Sequence, residues 1–244
     1  MTAPDWLTER PIAHRGLHRG SEAPENSRPA FLAAVEAGLP IELDVQLSAD
    51  DQLVVHHDAA LGRLTEQTGP VRSHSLRELT QMEIAGGPHR IMSFAELLEL
   101  VRGRVPLLVE VKSGPAATTR AAAVAVALRR YRGEAAVQSF DPDIVAWFRR
   151  HAPEIPRGQL SGSLSGKRDA SALRRLLLRN FAFNVVTRPD FLGYELAFLS
   201  SRRAAMLRRL GKPLLLWTIT SEEQRRRAED LGDNFIFEGF SPLP

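Results

Sequence analysis

The feature that most constrains this chain is an alternation. Short runs rich in β-branched and aliphatic residues recur along its length, and longer stretches with apolar residues at helical spacing separate them. The strand-like runs are Pro11 to His14, Ile41 to Leu47, Pro106 to Lys112, Ala135 to Ser139, Pro156 to Leu160, Phe183 to Val186, Pro213 to Trp217 and Asn234 to Glu238. Helices are expected near Arg28 to Ala37, Ser93 to Val101, Thr118 to Arg130, Pro142 to His151, Ala170 to Arg179, Tyr194 to Leu210 and Glu222 to Leu231. Three of these carry start signals: Asp141 before Pro142, Ser93 with Glu96 three residues on, and Asp169 before an apolar-periodic run. Eight βα alternations in 244 residues predict an α/β protein, a (β/α)8 TIM barrel forming one domain over residues 1–244. The competing arrangement is an open doubly wound sheet.

Two departures from a plain barrel are expected. Residues 48–92 are too many for an ordinary βα connection and contain a second extended run, Gln52 to His57, which predicts an inserted hairpin or lobe after the second strand. After the last strand only Gly239 to Pro244 follow, with two prolines, so the final outer helix is expected to be truncated or missing and something else must cover that wall.

The chain has no cysteine, so a metal would have to be held by Asp, Glu, His or backbone oxygens. No apolar run is long enough to cross a bilayer and no secretory signal is visible, which predicts a cytoplasmic protein without stable membrane insertion. The net charge of +3 hides an asymmetry. Residues 1–122 hold 12 Lys+Arg against 16 Asp+Glu, whereas residues 123–244 hold 20 against 13. The basic pairs Arg129-Arg130, Arg149-Arg150, Arg174-Arg175, Arg202-Arg203 and Arg208-Arg209, and the run Arg225 to Arg227, fall on expected outer helices and read as solvated faces. They lack the interleaved aromatics of a nucleic-acid surface, and weak attraction to an anionic membrane is the residual alternative.

The acids have a pattern. In Ile41-Glu42-Leu43-Asp44-Val45 strand alternation sends Glu42 and Asp44 to one face, and in Leu108-Val109-Glu110-Val111-Lys112 it pairs Glu110 with Lys112. Carboxylates pointing into one barrel repel each other and lose solvation unless cations neutralise them. Three of them near strand ends suit Mg²⁺ or Ca²⁺, with Mn²⁺ as a further option and zinc disfavoured. His14 and Arg15 leave the first strand, and His56-His57 end the inserted run, where alternation sends only one of the two inward. Base, acid, anion clamp and electrophile are the parts that hydrolyse a phosphodiester.

The ordered set His14-Arg15-Gly16, Pro24-Glu25-Asn26-Ser27, Glu42-x-Asp44-Val45, Val54-Val55-x-His57-Asp58, Leu61-x-Arg63 and Glu110-Val111-Lys112 resembles the glycerophosphodiester phosphodiesterases. Weaker similarity continues through Gln138-Ser139-Phe140-Asp141-Pro142 and Leu216-Trp217-Thr218. The resemblance implies Glu42, Asp44 and Glu110 as metal ligands and His14 and His57 as the acid/base pair, favouring His57 over His56. It also implies Arg15 and Lys112 on the phosphate, Phe140 and Trp217 lining the pocket, and Glu25 and Asn26 supporting the ligands. The family's Arg-Thr-Thr is here Arg63-Leu64-Thr65, and Glu238 stands near the place of its terminal Asp.

The activity implied is metal-dependent hydrolysis of small glycerophosphodiesters, such as glycerophosphocholine or glycerophosphoethanolamine, to glycerol 3-phosphate and an alcohol. A lysophospholipase D or another small-molecule phosphodiesterase would use the same site, but the mostly polar segment Leu61 to Gly87 favours a headgroup diester over a lipid. A non-catalytic binding barrel is disfavoured by the intact acids and histidines. The partner expected is the substrate alone, with no nucleic acid, for a monomer or homodimer.

Overall fold

The structure, a computed structural model, describes residues 3–163, 177 and 180–242. It is organised in two compact units, one spanning Ile12–Val137 and the other combining the residues up to Pro11 with those from Gln138 onward. The fold class is the (β/α)8 barrel, with a hairpin insertion after the second strand. Among the described residues no helix is long and apolar enough to cross a membrane.

The chain enters through α1 (Trp6–Glu9), which belongs to the second unit. The first unit then starts with β1 (Ile12–Ala13), α2 (Arg28–Glu36) and β2 (Ile41–Leu47). Every residue of β2 is buried, as expected for a strand covered on both faces. The insertion follows: β3 (Leu53–Val55) turns back antiparallel on β2, pairing Val45 with Val55, and β4 (Met92–Ser93) pairs antiparallel with β3. Between β3 and β4 lies the short α3 (Leu76–Leu79), and the insertion closes over its own apolar cluster of Val54, Leu61, Val71, Leu79, Ile84 and Ile91. The expected hairpin is therefore present as a small packed lobe. The Ser93–Glu96 capping box starts α4 (Phe94–Val101), and β5 (Leu107–Val111) and α5 (Ala117–Arg130) complete this unit.

Strand β5 runs parallel to β2 with Asp44 opposite Glu110 and Glu42 opposite Leu108. Parallel neighbours in register share a face, so alternation and pairing together put Glu42, Asp44, Glu110 and Lys112 on one side of the sheet.

Beyond β6 (Ala135–Ser139), Asp141 caps α6 (Pro142–His151) through its side chain, as the Asp-Pro signal predicts. Then come β7 (Arg157–Ser161), α7 (Asn184–Thr187), β8 (Phe191–Glu195), α8 (Ser201–Arg208), β9 (Leu214–Ile219), α9 (Glu222–Leu231) and β10 (Asn234–Phe237). Strands β7 through β10 pair in parallel, each with the next.

Two sequence expectations are corrected here. Phe183 to Val186 is not a strand; Asn184–Thr187 is a short helix with Val185 82% exposed. The strand is Phe191–Glu195, pinned to β7 by Asp190, whose backbone N–H donates to Arg157 O at 2.7 Å and whose carboxylate accepts the Arg157 N–H at 3.1 Å. The expected helix from Tyr194 starts only at Ser201, because Tyr194 is consumed by that strand and the Ser200 side chain caps the helix. The expected helix Ala170 to Arg179 and the pair Arg174-Arg175 lie outside the described residues.

No helix follows β10 among the described residues. In its place α1 packs on β10, with Trp6 and Leu7 buried and the Asn234 side-chain amide donating to Leu7 O at 2.8 Å and Arg10 O at 2.6 Å.

Candidate active site

The site grows from the ends of β1, β2 and β5 in the first unit. Carboxylate oxygens of Glu42, Asp44 and Glu110 lie within 4.8 Å of one another, with Glu42 and Asp44 only 1% exposed. Two cations answer them. The Lys112 ammonium sits 2.6 Å from Asp44 and donates to Glu110 at 2.7 Å, and Arg15 Nε lies 3.3 Å from Asp44. Burial opposes ionisation of Asp44, but Lys112 and Arg15 overcome it and hold its carboxyl far below the usual range. The same acids raise Lys112 against the effect of burial. Glu42 goes the other way, pushed well up by burial and then by Asp44 and Glu110. The cluster therefore has more negative charge than its two cations offset.

That imbalance fits a divalent ion, and so does the neighbouring amide. Asn26 is buried and donates through Nδ2 to Asp44 at 2.9 Å, while its Oδ1 has no hydrogen-bond partner among the described residues. A buried acceptor without a donor costs about 1–3 kcal/mol, unless it meets a cation or a water. Three carboxylates and an amide oxygen form a hard donor set of the kind Mg²⁺, Mn²⁺ or Ca²⁺ accepts.

The loop after β1 is held in an unusual backbone conformation. Arg15 and Asn26 both adopt positive φ (54° and 55°), and Asn26 N–H donates to Arg15 O at 2.9 Å, locking the two together. The Arg15 backbone N–H lies 3.2 Å from Glu42 Oε2, to which it donates. Non-glycine residues in this region carry strain that the surroundings must offset, as is common at functional sites. Gly16 makes the turn feasible: its φ is 80°, and a Cβ would come within 2.9 Å of the Ala30 backbone. Gly16→Ala is expected to lower unfolding free energy by about 1–3 kcal/mol, read from urea denaturation, since neither the dihedral nor the contact can relax cheaply.

Both candidate histidines border the acids. His14 Nε2 is 3.8 Å from Glu42 Oε2. His57 Nδ1 donates to Asp58 Oδ1 at 2.6 Å, which leaves Nε2 for proton transfer. Burial lowers the His57 pKa; Asp44 pulls it up, while Lys112 and Arg15 press it further down. His56 is the one directed inward, where its Nε2–H donates to Ala60 O at 3.3 Å. Burial holds His56 below its ordinary value, so the folded protein resists a proton that the unfolded chain accepts below about pH 6.5. Stability contributed by neutral His56 is thus present above that pH and declines on acidification through it. His56→Asn is expected to flatten the dependence of Tm on pH below about pH 6.5.

Two residues without an assigned role join the site. Arg63 donates to Asp58 from Nε at 2.5 Å and clamps both Glu25 oxygens at 2.8 and 2.7 Å; Glu25 also accepts from Arg15 at 2.7 Å. A continuous charged chain thus runs from His57 through Asp58, Arg63, Glu25 and Arg15 to Asp44. Burial opposes the ionisation of Glu25, but Arg63 and Arg15 hold it down. The clue in the sequence was the carboxylate directly after His57; nothing local indicated that Arg63 would reach Glu25.

Phe140 and Trp217 belong to the second unit, where their rings meet edge to face at 5.3 Å. Trp217 Nε1 is buried without a hydrogen-bond partner among the described residues. Glu238, after β10, donates its backbone N–H to Ile219 O at 3.0 Å.

A (β/α)8 barrel with a strand-borne acidic cluster, flanked by histidines and ion-paired cations, defines a class of hydrolytic site. Residues 14–238 match the model of the glycerophosphoryl diester phosphodiesterase family, and the chain belongs to that family of phosphoric diester hydrolases. The Bacillus subtilis (strain 168) protein YhdW is 28% identical over 230 residues, covering 91% of this chain and 90% of its own. The glycerophosphodiester phosphodiesterase of Thermotoga maritima superposes with a TM-score of 0.72 at 26% identity, over 93% of this chain and 92% of that one. An Oleispira antarctica phosphodiesterase, solved in complex with the product sn-glycerol-3-phosphate, gives 0.80 at 23% identity, over 95% and 93%.

Proposed function

We propose that this protein hydrolyses small glycerophosphodiesters to glycerol 3-phosphate and an alcohol, using a divalent metal and histidine acid/base catalysis. The observation that carries the reading is the clustering of Glu42, Asp44 and Glu110 within 4.8 Å, beside His14 and between two cations. The product complex of the Oleispira antarctica relative supports the glycerol 3-phosphate half of the substrate.

In this reading Glu42, Asp44 and Glu110, with Asn26 Oδ1, would hold the ion. When bound it would act as a Lewis acid that offsets charge building up on the phosphoryl oxygens. Arg15 and Lys112 flank the acids and would bind the remaining phosphate oxygens. His57, oriented by Asp58, and His14 would divide the proton transfers: one takes the proton from the attacking oxygen and the other delivers one to the leaving alcohol. Glu25, fixed by Arg63, would hold Arg15 in position. Phe140 and Trp217 would line the pocket, as the family resemblance implies, with an indole N–H that has no partner among the described residues as a donor for substrate oxygen.

The test is product release from glycerophosphocholine, glycerophosphoethanolamine, glycerophosphoinositol and lysophosphatidylcholine in parallel. Glycerol 3-phosphate from the first three, with little turnover of the fourth, is expected. Preferential cleavage of lysophosphatidylcholine would replace this reading with the lysophospholipase D one.

A further inference from the structure

We propose that the outer face of α8 is a docking surface for an anionic lipid membrane. The residues from Leu196 to Lys212 include five cations, Arg202, Arg203, Arg208, Arg209 and Lys212, and no acid. Within α8 the buried Ala204 and Leu207 point inward, and at 100° per residue Arg202, Met206 and Arg209 fall on the opposite side. Three large apolar side chains are exposed in this short segment: Met206 at 47%, with Phe198 and Leu210, both at 51%, before and after the helix.

Arg203 is engaged with the Tyr194 hydroxyl and Asn180, and Arg208 lies 3.9 Å from Asp233. Arg202, Arg209 and Lys212 have no ion pair among the described residues. On the neighbouring α9, Glu222 and Glu229 are held by Arg225, and the remaining acids, Glu223 and Asp230, are matched in number by Arg226 and Arg227.

The pattern selects its occupant. Apolar anchors combined with unpaired cations are the two signals that hold a protein at an acidic bilayer, since either one alone binds marginally. A second copy of the chain fits poorly, because a two-fold contact would bring Arg202 and Arg209 against like charges with no acid in the segment to answer them. This surface is independent of the proposed chemistry.

The test is co-sedimentation of the full chain with vesicles of phosphatidylcholine alone and of phosphatidylcholine with phosphatidylglycerol at about a third of the lipid. At low salt, binding to the acidic vesicles is expected to exceed binding to the neutral ones by about tenfold or more and to fall sharply in 0.5 M NaCl, as roughly expected from screening. R202E/R209E should lose that preference, and F198S/M206S/L210S should weaken binding at unchanged charge, while both variants keep wild-type turnover of glycerophosphocholine. Equal binding to both vesicles, insensitivity to both triple and double variants, or a homodimer that the apolar variant dissociates would overturn the proposal.

Discussion

Asp44→Ala is expected to lower turnover of glycerophosphocholine by about 10³-fold or more and to destabilise the fold at the same time. The two effects have one origin. Asp44 is the residue on which Lys112, Arg15 and Asn26 converge, at 2.6, 3.3 and 2.9 Å. Removing its carboxylate takes away a proposed metal ligand and the anchor of both cations proposed to bind the phosphate, and losses of electrostatic stabilisation of this kind cost about 10²–10³ for even a single donor. It also strands Lys112 with Glu110 as its remaining acid, and breaking a buried ion pair from one side costs about 3–5 kcal/mol. Asp44→Asn separates the two: it keeps the shape and a hydrogen-bonding oxygen for Lys112 but not the charge, so turnover should fall nearly as far while stability falls less. Steady-state kinetics and urea denaturation on both variants check this; normal kcat in Asp44→Ala would remove the residue from the site.

The second large effect is expected from His57→Gln, a loss of about 10²–10⁴ in kcat, the range for removing a general acid or base. Glutamine can still hydrogen-bond Asp58 but cannot exchange a proton, so KM should change little and one limb of the pH–rate profile should vanish. Asp58→Ala should give a smaller loss with the profile retained, because it frees the ring without removing it. Loss of binding alone, with kcat intact, would assign His57 to substrate recognition.

How much of this was legible in the sequence varies by residue. Alternation alone puts Glu42 and Asp44 on one face of their strand, and Glu110 with Lys112 on one face of theirs, because a strand's two-residue period needs no tertiary information. The Asp44–Glu110 register could not be read that way, since it depends on how two parallel strands align across the intervening insertion. His56 and His57 were indistinguishable by pattern; packing separates them, sending His56 inward to Ala60 and leaving His57 to Asp58. The Arg63–Glu25 clamp spans 38 residues and exists because the insertion folds over its own cluster, a tertiary fact without local periodicity. The error at Phe183 to Val186 has a similar cause. Two valines in a row favoured a strand, yet Asp190 fixes the strand at Phe191–Glu195, where Gly193 weakens the local signal but lets Leu160 pack closely.

In the proposed mechanism three carboxylates hold an ion that the reaction needs. The direct measurement is glycerol 3-phosphate release from glycerophosphocholine by chelator-stripped protein as Mg²⁺, Mn²⁺ or Ca²⁺ is titrated back, with Glu42→Gln and Glu110→Gln alongside. Negligible turnover is expected without metal, with saturable recovery on at least one of the three ions and a metal requirement raised about 10-fold to 100-fold or more in each variant, as for a weakened metal site. Full turnover in the stripped protein, or a titration curve unchanged by Glu110→Gln, would contradict it.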